Sequence, residues 1–199
     1  MFPKKILTLL VFLIISFSNI TKTFSMEPDV FVQSTVNRAS KVLSSNIGKE
    51  QKIEQLKLIA DETVDIKIIG LYALGPYRKE LNDDQKNKYA LLFKEYFLKT
   101  FSSRLAEYSN PEIEVTSKEK LNEKYTIVLS SLIATETRPE VKINWRIYTK
   151  DPKNPLIRDL IIEGLSLART QKEEFSSIIQ SNDGDINALF ESLKIFINN

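Results

Sequence analysis

The sequence predicts an α+β fold in one domain, with helices covering one face of a twisted antiparallel sheet of about four strands. Two observations lead to this prediction. Four strand-like runs follow one another in the second half of the chain, at residues 112–115, 125–134, 141–149 and 158–167, and short connections favour antiparallel pairing. The segments before and after them have apolar residues spaced by three and four, which is typical of helices. No repeat or linker divides the chain.

The strand at residues 141–149 has the clearest pattern. Val141, Ile143, Trp145 and Ile147 alternate with polar residues, which indicates one buried and one exposed face. The connection at residues 150–155 contains two prolines, so the chain reverses there. We interpret Gly164, in the next strand, as a position of close helix packing rather than as room for a ligand.

Helices are predicted at six places, with the third apolar nearly all round and therefore deeply buried. Asn82 and Gln85 have the spacing of a capping box, so the longest helix begins there. Gly75 and Pro76 end the helix before it. The predicted helices span residues 31–43, 49–60, 64–74, 82–108, 171–180 and 186–197.

Six aromatic residues fall on one stripe of the longest helix. Most of them are expected to be ordinary core, and part of the stripe is expected to line a ligand-sized cavity, because bulky rings beside a sheet often leave such space. The six are Tyr89, Phe93, Tyr96, Phe97, Phe101 and Tyr108.

The composition excludes several classes of chemistry. Hydrophobic residues make up 42% of the 199 residues, so the chain can form a core. It contains no cysteine and no histidine, which excludes a thiol nucleophile, a disulfide framework and a histidine acid, base or metal ligand. Neither a catalytic residue nor a metal ligand is identified.

Residues 1–25 have the pattern of a signal peptide. Lys4 and Lys5 precede an apolar run at residues 6–17, and Thr23 and Ser25 are small residues placed for cleavage near Ser25. The run is shorter than the ~20 residues that span a bilayer, which favours cleavage over a retained anchor. This segment holds three of the 28 basic residues, so 25 basic residues face 26 acidic ones in residues 26–199. That balance gives no indication of a nucleic-acid partner.

Several segments together resemble the MlaC (toluene-tolerance) family of periplasmic phospholipid carriers. Residues 71–78, LYALGPYR, resemble the family's "vLGxxwR" segment, and residues 159–167, DLIIEGLSL, resemble its "DvxiEGvSl" strand. Phe175 matches the aromatic of its "nyRxxF" helix start. The family's arginine is missing there, with Lys172 or Glu173 nearby, and its tryptophan before the Asp-containing strand is replaced by Leu156 or Ile157.

The resemblance covers nearly all of residues 26–199 and implies a periplasmic phospholipid carrier that is not an enzyme. Such a protein has a cone-shaped, nuclear-transport-factor-like fold and holds acyl chains in an apolar pocket between sheet and helices. It needs no cofactor, since the phospholipid is its cargo. Its implied partners are an outer-membrane lipoprotein–porin complex and an inner-membrane ABC transporter with an MCE-domain protein.

We expect ten residues to line the pocket, six on helices and four on the sheet. Those on helices are Ile69, Leu74, Phe93, Phe97, Phe101 and Phe175, and those on strands are Val128, Trp145, Ile147 and Ile162. We interpret three arginines, Arg138, Arg146 and Arg158, as solvated surface residues rather than as contacts to a phosphate or an acidic partner. Weak headgroup selectivity is expected, because no polar cluster stands out in the pattern.

Two alternatives remain open. A small enzyme on the same fold would use Asp65 or Asp159 with Tyr72 or Tyr77 as acid and base in an apolar cavity. A periplasmic adaptor or chaperone would bind polypeptide in its apolar groove.

Overall fold

The structure, a computed structural model, describes residues 25–108 and 111–199. Residues 1–24 of the predicted signal peptide therefore lie outside the described residues. The α+β prediction is confirmed, with helices before and after one antiparallel sheet. In chain order the elements are α1 (Pro28–Leu43), α2 (Lys49–Thr63), α3 (Ile66–Ala73), α4 (Asp83–Leu105), β1 (Ile113–Asn122), β2 (Tyr125–Leu132), β3 (Val141–Tyr148), β4 (Leu156–Ile162), β5 (Leu165–Ser166), α5 (Leu167–Gln180) and α6 (Ile186–Asn198).

The strands pair in chain order, each antiparallel to the next. Alternation along β2 and β3 places Val128 opposite Trp145, and both side chains are buried on the face that the helices cover. A bulge beside Arg146 shifts the register between β3 and β4, so that Trp145 opposes Leu160 and Ile147 opposes Ile157. One continuous apolar surface therefore crosses three strands.

The strand expected at residues 158–167 is shorter than the sequence indicates. It breaks at Glu163 and Gly164, which have φ angles of 48° and 84° and form a tight turn into the two-residue strand β5. The interpretation of Gly164 as a close-packing position is wrong, because a Cβ built there would have no neighbour within 4 Å. The glycine is instead suited to the left-handed backbone of the turn.

The third helix is buried on one side only, which corrects the expectation of complete burial. Ile66, Ile69 and Ala73 are buried, whereas Ile68 and Tyr72 are 37% and 44% exposed. Gly70 provides the close approach to α4, because a Cβ at this position would lie 2.6 Å from Cδ1 of Phe93.

Phe93 is the centre of an aromatic cluster between α4 and α5. Its ring centroid lies 5.7 Å from that of Tyr89, 6.1 Å from that of Phe97 and 6.1 Å from that of Phe175.

The start of α4 has the predicted capping box, in which Asn82 and Gln85 exchange hydrogen bonds. These two hydrogen bonds satisfy backbone N–H groups at the start of α4. Among the described helices, none is long and apolar enough to cross a membrane.

Candidate functional site

An apolar cavity of about 180 Å³ opens between α4, α5 and the central strands of the sheet. The end of α2 and one residue of α3 complete its inner wall. Its floor and walls are formed by apolar side chains from all of these elements: Val64, Ile69, Phe97, Phe101, Trp145, Ile157, Leu160, Leu167 and Ala168. The cavity reaches the protein surface beside Leu167, whose side chain is 42% exposed.

Four of the ten residues expected in the pocket line this cavity, namely Ile69, Phe97, Phe101 and Trp145. Five others are at most 2% exposed and lie in the packed core outside the cavity wall: Leu74, Phe93, Val128, Ile147 and Phe175. Ile162 is half-buried opposite Ile143 and is also outside the wall. Contact of any of these residues with a lipid stays a prediction.

The helical stripe did not distinguish these two groups, because core and cavity residues share one face of α4. Phe93 fills the space that Gly70 leaves on α3, whereas Phe97 and Phe101 lie one and two turns further along, where the cavity begins. The rings of Phe97 and Phe101 stack with their centroids 5.6 Å apart. The stripe therefore passes from core to cavity within one helix.

Polar groups at the cavity entrance were not identified from the sequence. Thr100 and Arg104 continue the face of α4 that carries Phe97, and Thr170, Gln171 and Glu174 come from α5. The spacing of Phe97, Thr100 and Arg104 by three and four residues is the signal that indicates a shared face. Arg104, Thr170 and Glu174 are exposed.

A chain of hydrogen bonds connects the inner wall with the entrance. Tyr96 Oη donates to Gln171 Oε1 at 3.0 Å, and Gln171 Nε2 donates to Glu174 Oε2 at 3.0 Å. Burial raises the pKa of the Tyr96 hydroxyl, so this group remains a hydrogen-bond donor at neutral pH. The chain holds Glu174 in a defined orientation.

Asp159 fixes the start of α5, which forms one wall of the cavity. Its carboxylate is buried and accepts hydrogen bonds from Ser166 Oγ at 2.6 Å and from the Ala168 backbone N–H at 3.0 Å. Arg146 Nη1 lies 3.6 Å from the same carboxylate. A negative charge at a helix N-terminus is favourable, so Asp159 stabilises the junction of β5 and α5.

Arg158 is a structural residue, which corrects its interpretation as a solvated side chain. Its Nε donates to Asp65 Oδ2 at 2.8 Å, its Nη1 donates to Tyr125 Oη at 2.8 Å, and its guanidinium lies 3.6 Å from the ring centroid of Tyr148. Its side chain is only 17% exposed. Arg138 is also partly buried and donates to the Ile133 carbonyl at 3.0 Å.

The two carboxylates considered for catalysis are thus occupied by structural contacts. Asp65 accepts from Arg158 and from the Ile68 backbone at the start of α3, while Asp159 holds α5. In the described parts of the chain neither one is hydrogen-bonded to Tyr72 or Tyr77. Among the same described residues, no group of three or more acidic side chains is placed to hold a metal ion.

Comparison with known proteins agrees with this architecture. The solved structure of a phospholipid-binding protein from Ralstonia solanacearum, in complex with a phospholipid, aligns with a TM-score of 0.72. The alignment covers 87% of this chain and 98% of that protein, at 18% sequence identity. The likeness therefore shows a shared fold. A family model described as MlaC protein matches residues 33–195, which is most of the sequence. This chain belongs to the MlaC family.

Proposed function

We propose that this protein is a periplasmic phospholipid carrier that encloses acyl chains in the cavity between α4, α5 and the sheet. The observation that supports this best is the cavity itself, whose walls are apolar and aromatic and which opens to the surface at one end. Family membership and the phospholipid bound by the Ralstonia protein of the same fold support the same ligand class.

The energetics of acyl chains explain why a carrier needs such walls. Each buried methylene contributes about 0.8 kcal/mol, so a chain of about sixteen methylenes costs about 13 kcal/mol to expose to water. Dispersed hydrogen bonds do not compensate for a cost of this size. An apolar wall built from Trp145, Phe97, Phe101 and the aliphatic residues of β4 provides the necessary kind of surface.

The size of the cavity implies that its walls separate when lipid enters. A volume of about 180 Å³ is below the roughly 300–1,000 Å³ of typical ligand pockets, and a diacyl lipid is larger than many of those ligands. Phe97 and Phe101 on α4 and Gln171 on α5 are only half-buried in this wall. We therefore expect these helices to move outward from the sheet on loading.

We propose further that the carrier is directed to the periplasm by residues 1–25. There it would transfer lipid between an outer-membrane lipoprotein–porin complex and an inner-membrane ABC transporter bearing an MCE-domain protein. Support for this route comes from the MlaC family match. No catalytic step is part of the proposal, because the carboxylates of Asp65 and Asp159 serve structural contacts.

Lipid extraction from protein expressed in a bacterial periplasm tests the proposal. We expect native mass spectrometry to show a complex with diacyl phospholipid, and organic extraction to release that lipid. Protein that is recovered without any phospholipid contradicts the carrier function. Bound peptide in place of lipid supports the chaperone alternative, and a chemically altered lipid product supports the enzyme alternative.

A further inference from the structure

One hydrogen bond joins the two helices that face each other across the cavity. Tyr96 Oη on α4 donates to Gln171 Oε1 on α5 at 3.0 Å, and both residues line the cavity. Among the residues that the structure describes, no other side-chain hydrogen bond and no ion pair connects α4 with α5. In this part of the chain a single polar contact therefore bridges the cavity.

The two helices pack closely on one side of this bond and stand apart on the other. On one side, the Phe175 ring lies 5.9 Å from the Tyr96 ring and 6.1 Å from the Phe93 ring, measured between centroids. On the other side, Phe101 on α4 and Leu167 on α5 line the open space. The hydrogen bond thus lies at the boundary between packed core and cavity.

The bond is sensitive to the spacing of its helices. A hydrogen bond of 3.0 Å is lost once donor and acceptor lie about 3.6 Å apart, so a shift of less than about 1 Å is enough. Apolar contacts are not directional and tolerate such a shift better. A diacyl lipid is larger than the cavity of about 180 Å³, so its entry moves α4 and α5 apart. This movement breaks the bond between Tyr96 and Gln171.

The two side chains can lose their bond at modest cost. Tyr96 and Gln171 are half-buried and close to water, and Gln171 Nε2 also donates to Glu174 Oε2 at 3.0 Å. Contacts other than the hydroxyl hold the Tyr96 ring, whose centroid lies 5.0 Å from that of Phe196 and 5.9 Å from that of Phe175. Opening therefore costs about one ordinary hydrogen bond, which changes an equilibrium by about two- to tenfold.

We propose that the bond between Tyr96 and Gln171 sets the width of the cargo that the carrier encloses. It stays closed around a lipid with one acyl chain and opens for a phospholipid with two, so it lowers the preference for diacyl over single-chain lipid. A carrier has to give up its cargo, and a bond that re-forms as the lipid leaves favours release. This inference rests on the proposed carrier function.

Competition between lipids with one and two chains tests the proposal. The protein is incubated with vesicles of diacyl phosphatidylglycerol that contain a small fraction of the single-chain lysolipid with the same headgroup and acyl chain, and bound lipids are quantified by mass spectrometry. Tyr96→Phe removes the hydroxyl and keeps the ring. We expect the bound ratio of diacyl to single-chain lipid to rise about fivefold in this variant. A ratio that stays unchanged or falls overturns the proposal.

Tyr89→Phe is the matched control on the same helix. Tyr89 Oη donates to the Gly70 carbonyl at 2.9 Å, and this tyrosine is buried and does not line the cavity. The variant loses a hydrogen bond of the same kind and leaves the link between α4 and α5 intact. We expect a lower melting temperature with the lipid ratio of the unaltered protein. An equal rise of the ratio in both variants overturns the proposal, because it indicates a general loosening of α4.

A double-mutant cycle assigns the effect to the bond itself. Gln171→Met keeps the length of the side chain and removes the acceptor, so it should raise the ratio about as much as Tyr96→Phe does. The double variant should show no larger rise than either single variant, because the bond is lost only once. Effects that multiply in the double variant overturn the assignment to this bond.

Distances between two spin labels measure the opening directly. The chain contains no cysteine, so Glu95→Cys on α4 and Glu173→Cys on α5 provide the only labelled positions. Both glutamates are exposed, and neither lines the cavity. We expect the distance between the labels to increase on loading with diacyl lipid and to stay unchanged with single-chain lipid. An increase with neither lipid or with both overturns the proposal.

The same measurements separate this inference from the carrier function. Phospholipid bound in normal amount, at one ratio in all variants, refutes only the role of Tyr96 and Gln171. Absence of both lipids from the unaltered protein and from every variant refutes the carrier function, and this inference with it.

Discussion

The indole Nε1 of Trp145 donates a hydrogen bond of 2.8 Å to Ser130 Oγ on the neighbouring strand, and that hydroxyl donates in turn to the Ile143 carbonyl at 2.9 Å. The only polar atom of the indole is thus satisfied inside the sheet. The ring is held in one orientation and contributes only apolar surface to the cavity wall. A fixed aromatic wall is suited to acyl chains, which offer nothing to hydrogen-bond.

Replacing Gly70 with alanine should destabilise the fold through the α3–α4 contact. The new Cβ would lie 2.6 Å from Phe93 Cδ1, and the Phe93 ring is enclosed by other aromatic rings. Overpacking costs about 1–3 kcal/mol, offset by about 1 kcal/mol from the better helix propensity of alanine. We expect the free energy of unfolding in urea to fall by up to about 2 kcal/mol.

Gly48 provides the control for that substitution. It lies at the N-cap of α2 with φ of −62°, and a Cβ there would have no neighbour within 4 Å. Gly48→Ala loses a favourable N-cap residue but restricts the unfolded chain, and these opposing effects should keep the change in the free energy of unfolding within about 0.5 kcal/mol. Equal effects at both positions would contradict the close approach of α3 and α4 at Gly70.

Asp159→Asn should weaken the junction between β4 and α5. The amide keeps one acceptor oxygen and loses the charge that faces Arg146 and the helix N-terminus. We expect a loss of about 2–4 kcal/mol in the free energy of unfolding. Asp185→Asn is the control, because Asp185 is an exposed N-cap of α6 and asparagine is an equally good cap, so its effect should stay within about 0.5 kcal/mol.

Phe97→Glu should reduce lipid binding more than it reduces stability. Phe97 is half-buried and faces the cavity, so a carboxylate there enters the acyl space and can still reach water. Ile147→Glu is the contrasting variant, since Ile147 is completely buried in the core. We expect it to unfold the protein, because an unpaired buried charge costs several kcal/mol. Circular dichroism and lipid extraction distinguish these results, and similar unfolding by both variants would place Phe97 in the core.

The order of helices and strands could be predicted from the sequence, because apolar residues recur at regular spacings along most of these elements. Strand alternation from Val141 to Tyr148 and the capping box at Asn82 and Gln85 are local signals, and both are confirmed. The turn at Gly164 was misinterpreted for a physical reason. A glycine required for a positive φ and a glycine required for close packing look identical in one sequence, and here the packing glycine is Gly70.

The candidate site was only partly accessible, because its position depends on how the helices seat on the sheet. Apolar residues of a stripe predict burial, but they do not predict whether the space beside them is filled. Ile147 and Trp145 are neighbours on one strand face, yet only Trp145 lines the cavity. The polar part of the lining depends on α4 and α5 lying side by side, which brings Tyr96 to Gln171 across 75 residues of sequence.

Fluorescence of Trp145 provides a direct test of where the cargo lies. Trp145 is the only tryptophan, and it belongs to the cavity wall, so all indole emission reports on that wall. Lipids brominated on their acyl chains should quench this emission on loading, because bromine quenches on near contact. The same lipids without bromine control for changes of conformation, and lipids brominated in the headgroup should quench little, since Arg104 and Glu174 mark the entrance. If lipid is bound and acyl bromine leaves the Trp145 emission unchanged, the acyl chains occupy another site on the protein. The cavity is then not the lipid-binding site.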